Sequence, residues 1–127
     1  MSDLRASVSS APVDEVLARL EGELDFASAP MLTELIDDAL SVGRARVTLD
    51  LSGVTFMDLP GLEALLRADV RARQVGAALV LRSPSKRVLD LLLLTGTDGI
   101  FAVEVDLRTR REAATEAFGF HELTTLN

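Results

Sequence analysis

Residues 47–62 read Val47-Thr48-Leu49-Asp50-Leu51-Ser52-Gly53-Val54-Thr55-Phe56-Met57-Asp58-Leu59-Pro60-Gly61-Leu62. At the start of this stretch Val47, Leu49 and Leu51 alternate with Thr48 and Asp50, the two-residue period of a strand. Pro60 suits the first turn of a helix, where the N–H that proline lacks would have no partner anyway. Behind it Leu62, Leu65, Leu66 and Val70 recur at helical spacing, and Gly76 stops the helix. A strand followed by a turn and a helix is the repeating unit of α/β architecture, and the sequence on either side continues it.

Upstream, Leu4, Ala6 and Val8 alternate with Arg5, Ser7 and Ser9, and after a polar break at Pro12–Glu15 so do Val16, Ala18 and Leu20 with Leu17, Arg19 and Glu21. Two neighbouring strands with a short break suggest an antiparallel pair, the first at the sheet edge. Ser28 or Ala29 then caps a helix opened by Pro30, with Met31, Leu32, Leu35, Ile36, Ala39 and Leu40 on one face and Gly43 after it. Downstream, the apolar run Ala77–Leu81 suits a strand buried on both faces. Ser83-Pro84 repeats the cap-then-proline signature ahead of a helix that carries Val88, Leu89, Leu91, Leu92 and Leu93 and ends by Thr95 and Gly96. Ile100, Phe101 and Val103 form a last short strand, and Thr109 with Glu112 makes a capping box for a helix through Phe118. The expected order is β-β-α-β-α-β-α-β-α, with strands near 4–8, 16–21, 47–51, 77–81 and 100–104. It implies a mixed, mostly parallel sheet of about five strands flanked by helices. One domain spans residues 1–127, with a core over about 4–118 and a possible tail at 119–127.

Composition narrows the function. The chain has 127 residues, 48% of them hydrophobic, enough for one buried core. With five Phe, no Trp and no Tyr, that core is aliphatic. The absence of Cys excludes disulfides, zinc–thiolate sites and thiol catalysis. A net charge of −7 repels nucleic-acid phosphates, and the densest basic spot before the tail, Arg82, Lys86 and Arg87, is small and reads as solvated surface. The longest apolar run, Leu91–Leu94, is far too short to span a membrane, and the N-terminus lacks a signal-peptide core, so a cytoplasmic protein is expected.

Three segments resemble the STAS family, which includes the bacterial anti-sigma factor antagonists. Gly22-Glu23-Leu24-Asp25-Phe26-Ala27-Ser28-Ala29-Pro30 is similar to the family's G-E-L-D-x-x-[ST]-A. Leu49–Asp58 is similar to its D-L-S-x-V-x-F-M-D strand and turn, and Leu94-Thr95-Gly96-Thr97-Asp98-Gly99-Ile100-Phe101 to its L-T-G-x-D-x-x-F. They stand in family order at family-like distances, so the resemblance covers roughly residues 4–118. The resemblance implies a non-enzymatic module that binds an anti-sigma factor, often a serine kinase, and so regulates transcription by partner switching. It also implies release of the partner when the kinase phosphorylates a turn of the form D-S-[ST]-G-L. Here that turn reads Asp58-Leu59-Pro60-Gly61-Leu62, with Pro60 at the acceptor position and no hydroxyl in the turn.

If the second and third strands are neighbours, Asp25, Phe26, Ser28, Asp58 and Leu59 line one rim of the sheet, and with Pro60, Gly61 and Leu62 they are the expected partner-binding residues. Competing roles stand beside it: Asp58 could cap the second helix, Asp25 pin its loop, and Leu59 lie as a lid on the core. His121 has no second ligand or nucleophile to work with, so neither a metal, a cofactor nor a catalytic centre is expected. Ser83, Ser85 and Thr95 are available hydroxyls, but capping accounts for Ser83 and a turn for Thr95. Two alternatives compete with an antagonist. A ligand-sensing STAS domain would bind a nucleotide or small molecule near the same rim. A phospho-aspartate receiver would require a lysine after its last strands, whereas the only lysine, Lys86, precedes the last expected strand.

Overall fold

The computed structural model describes residues 3–9 and 12–105. The expected helix at 109–118, the tail and His121 lie outside them. Five strands and three helices follow one another as β1 (Leu4–Ser9), β2 (Glu15–Leu24), α1 (Ala29–Ser41), β3 (Arg46–Met57), α2 (Leu59–Gln74), β4 (Ala78–Arg82), α3 (Lys86–Thr95) and β5 (Ala102–Glu104). The sheet runs β1-β2-β3-β4-β5. β1 is the antiparallel edge, and the other pairings are parallel. This is the mixed, mostly parallel α/β sheet that the alternating pattern implies.

One face of the sheet carries Ala18 and Leu20 of β2, Val47, Leu49 and Leu51 of β3 and Leu79 and Leu81 of β4. All are buried in a single cluster with Leu32 and Ile36 of α1 and Leu62 and Leu65 of α2. α1 packs against α2, α2 against β4 and α3 against β3. β4 is buried at three consecutive positions, Leu79, Val80 and Leu81, so both of its faces are covered, as its unbroken apolar run requires.

β2 and β3 run past their expected ends. The pairing Arg19↔Asp50 is followed by Glu21↔Gly53, and Gly22↔Val54 by Glu23↔Phe56. Each step gives β3 one extra residue, a bulge. The buried residues of β3 therefore change spacing from Val47, Leu49, Leu51 to Val54 and Met57 while staying on the core side. Gly53 stands where a Cβ would lie 2.8 Å from Glu21 Cγ, so it is a bulge glycine rather than the end of the strand. Beyond Asp50, β3 has no β4 partner. Ser85 serves that open edge: its N–H donates to Leu51 O at 3.3 Å and its Oγ to Val54 O at 2.6 Å.

Other expectations change with these contacts. Ser85, not Ser83, caps α3, accepting from Val88 N; Ser83 instead adopts a positive φ of 46° and its N–H reaches across to Glu104 O. Of the leucines assigned to the inward face of α3, only Leu92 is fully buried, with Val88; Leu89 and Leu93 are exposed, because a ten-residue helix over one strand has a single covered stripe. Val70 of α2 and Val8 of the edge strand also face outward, and Ile100 precedes β5 rather than belonging to it.

β5 is only three residues long and is held by charge as well as by its ladder. The Glu104 carboxylate accepts from Arg82 Nε at 2.9 Å and Nη2 at 2.7 Å, and from Arg46 Nη2 at 2.7 Å. The hydrogen bonds from Arg82, helped by the charges of Arg82 and Arg46, hold the Glu104 pKa below its ordinary 4.5 against the opposing effect of burial. A carboxyl with a lowered folded-state pKa adds stability above its ordinary value and loses it as pH falls through the folded-state value. Glu104 is a third exposed, so the contribution is small, about 1 kcal/mol or less. Urea unfolding of Glu104→Gln is expected to show that deficit at neutral pH and to converge with the parent chain below pH 4.5. A deficit that stays constant across this range contradicts the assignment.

Candidate functional site

β2 and β3 finish side by side at the pair Leu24↔Met57, so the turns that follow them, 25–28 and the single residue Asp58, emerge together at the C-terminal rim of the parallel strands. Parallel α/β sheets commonly place binding at such a rim. All eight residues singled out in the sequence lie in these turns or in the first turn of α2.

The first turn is closed by Ser28. Its Oγ donates to Glu23 O at 2.7 Å and accepts from Asp25 N at 3.0 Å, while its own N–H donates to Asp25 Oδ1 at 3.0 Å. Ser28 is buried, and it closes the entry to α1 without capping it through the side chain: no helix N–H reaches its Oγ. Asp25 and Ser28 thus hold each other in a reciprocal clip, the local geometry that short polar side chains favour in turns.

The second turn is closed by Asp58. Its Oδ1 accepts from Gly61 N at 2.9 Å, capping α2, and its Oδ2 accepts a longer bond from Phe26 N at 3.4 Å. One carboxylate therefore ties the start of α2 to the turn before α1. Gly61 is required by close approach, since a Cβ there would lie 2.2 Å from Leu24 O. Leu62 is buried beneath it. Pro60, the second residue of α2, is half-buried, and its missing N–H falls among those that the first helical turn leaves unpaired.

Two of the eight residues face outward as large apolar groups: Phe26 is 77% exposed and Leu59 57%. Asp25, Ser28, Asp58, Gly61 and Leu62 shape the rim that presents them. Sequence reasoning missed Phe56 and Arg87. The Arg87 guanidinium lies 5.8 Å from the centroid of the partly exposed Phe56 ring, a cation–π arrangement. The signal was hidden because Phe56 follows the second bulge, where alternation no longer reports which face a residue takes. Among the described residues no cluster of His, Cys, Asp or Glu could hold a metal ion, and no helix is long and apolar enough to cross a membrane.

The model of the family described as Mlab, STAS domain matches residues 7–109. The chain belongs to the STAS-domain family. This STAS domain is 31% identical over 103 residues to BtrV of Bordetella bronchiseptica, named as a candidate anti-sigma factor antagonist, covering 81% of this chain and 85% of that one. Its fold matches the anti-sigma factor antagonist SpoIIAA in its unphosphorylated form, with a TM-score of 0.69, 22% identity and coverage of 91% of this chain and 97% of that one. It also matches an anti-sigma factor antagonist from Mycobacterium paratuberculosis, with a TM-score of 0.67, 25% identity and coverage of 87% and 93%.

The close approach of α2 to the end of β2 can be tested directly. Gly61→Ala in this STAS domain forces backbone apart, a kind of overpacking that costs about 1–3 kcal/mol. The clash with a carbonyl oxygen outweighs the ~1 kcal/mol of helix propensity that alanine adds. Gly99, where a Cβ meets nothing within 4 Å, is the control. Chemical denaturation should show Gly61→Ala clearly destabilised and Gly99→Ala within about 0.5 kcal/mol of the parent. Equal stability of the two variants would remove the constraint.

Proposed function

We propose that this STAS domain is an anti-sigma factor antagonist-like binding module, without enzymatic activity, that sequesters an anti-sigma factor in the cytoplasm and regulates transcription by partner switching. The observation that carries the reading is the exposed apolar pair Phe26 and Leu59 at the rim, in a chain 31% identical to a protein named for this activity. Exposed phenylalanine and leucine on a rigid rim suit partner contact better than chemistry, because apolar anchors on fixed scaffolds are what protein interfaces use. The partner is an anti-sigma factor of the serine-kinase class.

The usual switch is altered in this proposal. A phosphate on the first turn of α2 would be favoured by the helix dipole, and its charge would expel an apolar partner surface. Residues 58–62 contain no hydroxyl, and Pro60 fills the acceptor position. The rim is therefore permanently competent, and release needs another route, such as competition or turnover of the partner.

Two substitutions test this with the cognate anti-sigma factor. Leu59→Glu places a charge where an apolar contact is expected and should weaken binding at least tenfold, since burying an unpaired charge costs several kcal/mol. Incubation with a partner kinase and ATP should leave residues 58–62 unmodified in the parent, while Pro60→Ser gains phosphate there. Full binding by Leu59→Glu would show that the rim is not the interface.

A further inference from the structure

A trough leads away from the Phe26–Leu59 rim between α1 and α2. Its upper part, about 810 Å³, lies between Phe26, Pro30 and Glu34 on one side and Pro60 and Glu63 on the other. Its lower part, about 430 Å³, runs over Ile36, Ala64 and Ala68. Thr33, Asp37 and Arg67 line both parts, which therefore adjoin, and the Arg71–Asp37 ion pair at 2.7 Å links the two helices at the lower one. The floor is made of small or flush side chains: Ala29, Ile36, Ala64 and Ala68 are all buried. Alanines at the base of a helix pair let a third helix approach closely, since interaxial distance is set by the side chains at the contact.

The walls are acidic. Glu34, Asp37, Asp38 and Glu63 oppose only Arg67 and Arg71. Asp37 is occupied by Arg71 at 2.7 Å, and Glu63 by Arg67 at 3.8 Å. Glu34 and Asp38, one turn apart on α1, make no ion pair among the described residues, and both are exposed. These two carboxylates, which also border the groove on the other side of α1 that Arg44 lines, stand along an apolar floor that opens onto an apolar rim. That arrangement disfavours nucleic acid and anionic ligands, and the helical walls offer no strand edge for an extended peptide to join.

We propose that the α1–α2 trough seats a basic amphipathic helix of the partner protein, its apolar stripe on the alanine floor and its Lys or Arg side chains against Glu34 and Asp38. This deepens the reading of the rim as a protein-docking surface and rests on it for the identity of the partner, but the trough makes its own demand on chemistry. Apolar contact supplies the seat, and the carboxylates select the sign of charge that enters it.

Two synthetic helical peptides of the length of α2, 16 residues, provide the probe. They share one leucine stripe and differ only in carrying Lys or Glu on the polar face. Fluorescence anisotropy with the full chain should show the Lys peptide binding at least tenfold more tightly than the Glu peptide. Glu34→Lys/Asp38→Lys should abolish or reverse that preference, and the neutral pair Glu34→Gln/Asp38→Asn should fall between. Asp14→Lys/Asp98→Lys makes the same charge change at exposed positions away from the trough and should leave the preference intact. Failure of the Lys peptide to bind overturns the proposal; so does equal loss in the trough and control variants, which would mean attraction to the net charge of −7 alone. An anti-sigma factor that is lost on Leu59→Glu but indifferent to the trough reversal also overturns it, while leaving the antagonist reading standing. Charge-selective peptide binding without any anti-sigma factor binding upholds the trough and overturns that reading.

Discussion

The parallel pairing of β2 with β3 continues past the rest of the sheet, and the rim depends on it. β3 is paired with β4 only as far as Asp50, yet it stays paired with β2 to Leu24↔Met57. Two bulges keep its apolar residues on the core side over that distance. As a result two turns that are distant in sequence are delivered to the same place. Asp58 can then cap α2 through Gly61 and reach Phe26 of the other turn with its second oxygen. Without the overshoot, Asp58 would be an ordinary helix cap and Phe26 a residue on an isolated loop.

Each rim residue is held by something the fold must satisfy anyway. The Ser28–Asp25 clip satisfies turn backbone that would otherwise be unpaired. Gly61 lets the first turn of α2 rest on Leu24 O, and Ser85 covers the open edge of β3 that its length creates. Phe26 and Leu59 are exposed on supports made of backbone hydrogen bonds and close packing, so they are presented without the ordering cost that flexible loops would impose on binding. The charge pattern adds direction: an acidic trough leads off one side of the rim, and Arg87 stacks on Phe56.

The sequence reveals the architecture because most of it follows simple periods. Alternation at 4–8, 16–20 and 47–51, the apolar run at 77–81 and helical spacing at 31–40 and 62–65 place four of the five strands and the helices between them, with the antiparallel edge. What the sequence hides lies where a period breaks. Ser52-Gly53 looks like a turn because a bulge, seen in one strand alone, looks like the end of alternation. Ser83-Pro84 looks like a helix start because a serine ahead of proline has capping chemistry, whereas the cap is Ser85, which also bonds the open edge of β3. Five of the eight candidate residues make the contacts that shape the rim, and nothing in their chemistry announces a buried clip such as that of Ser28. Exposure, which separates Phe26 and Leu59 from the rest, is a tertiary property.

The turn at 58–62 carries no hydroxyl, and the rim it builds is the surface on which a partner is proposed to sit. Amide hydrogen exchange of the chain, alone and with the proposed anti-sigma factor partner, tests that placement most directly. The account predicts new protection concentrated in the turn at 25–28, the first turns of α1 and α2, and the trough between them. Protection gained along the free edge of β1 or the exposed face of α3, with the rim unchanged, would contradict it.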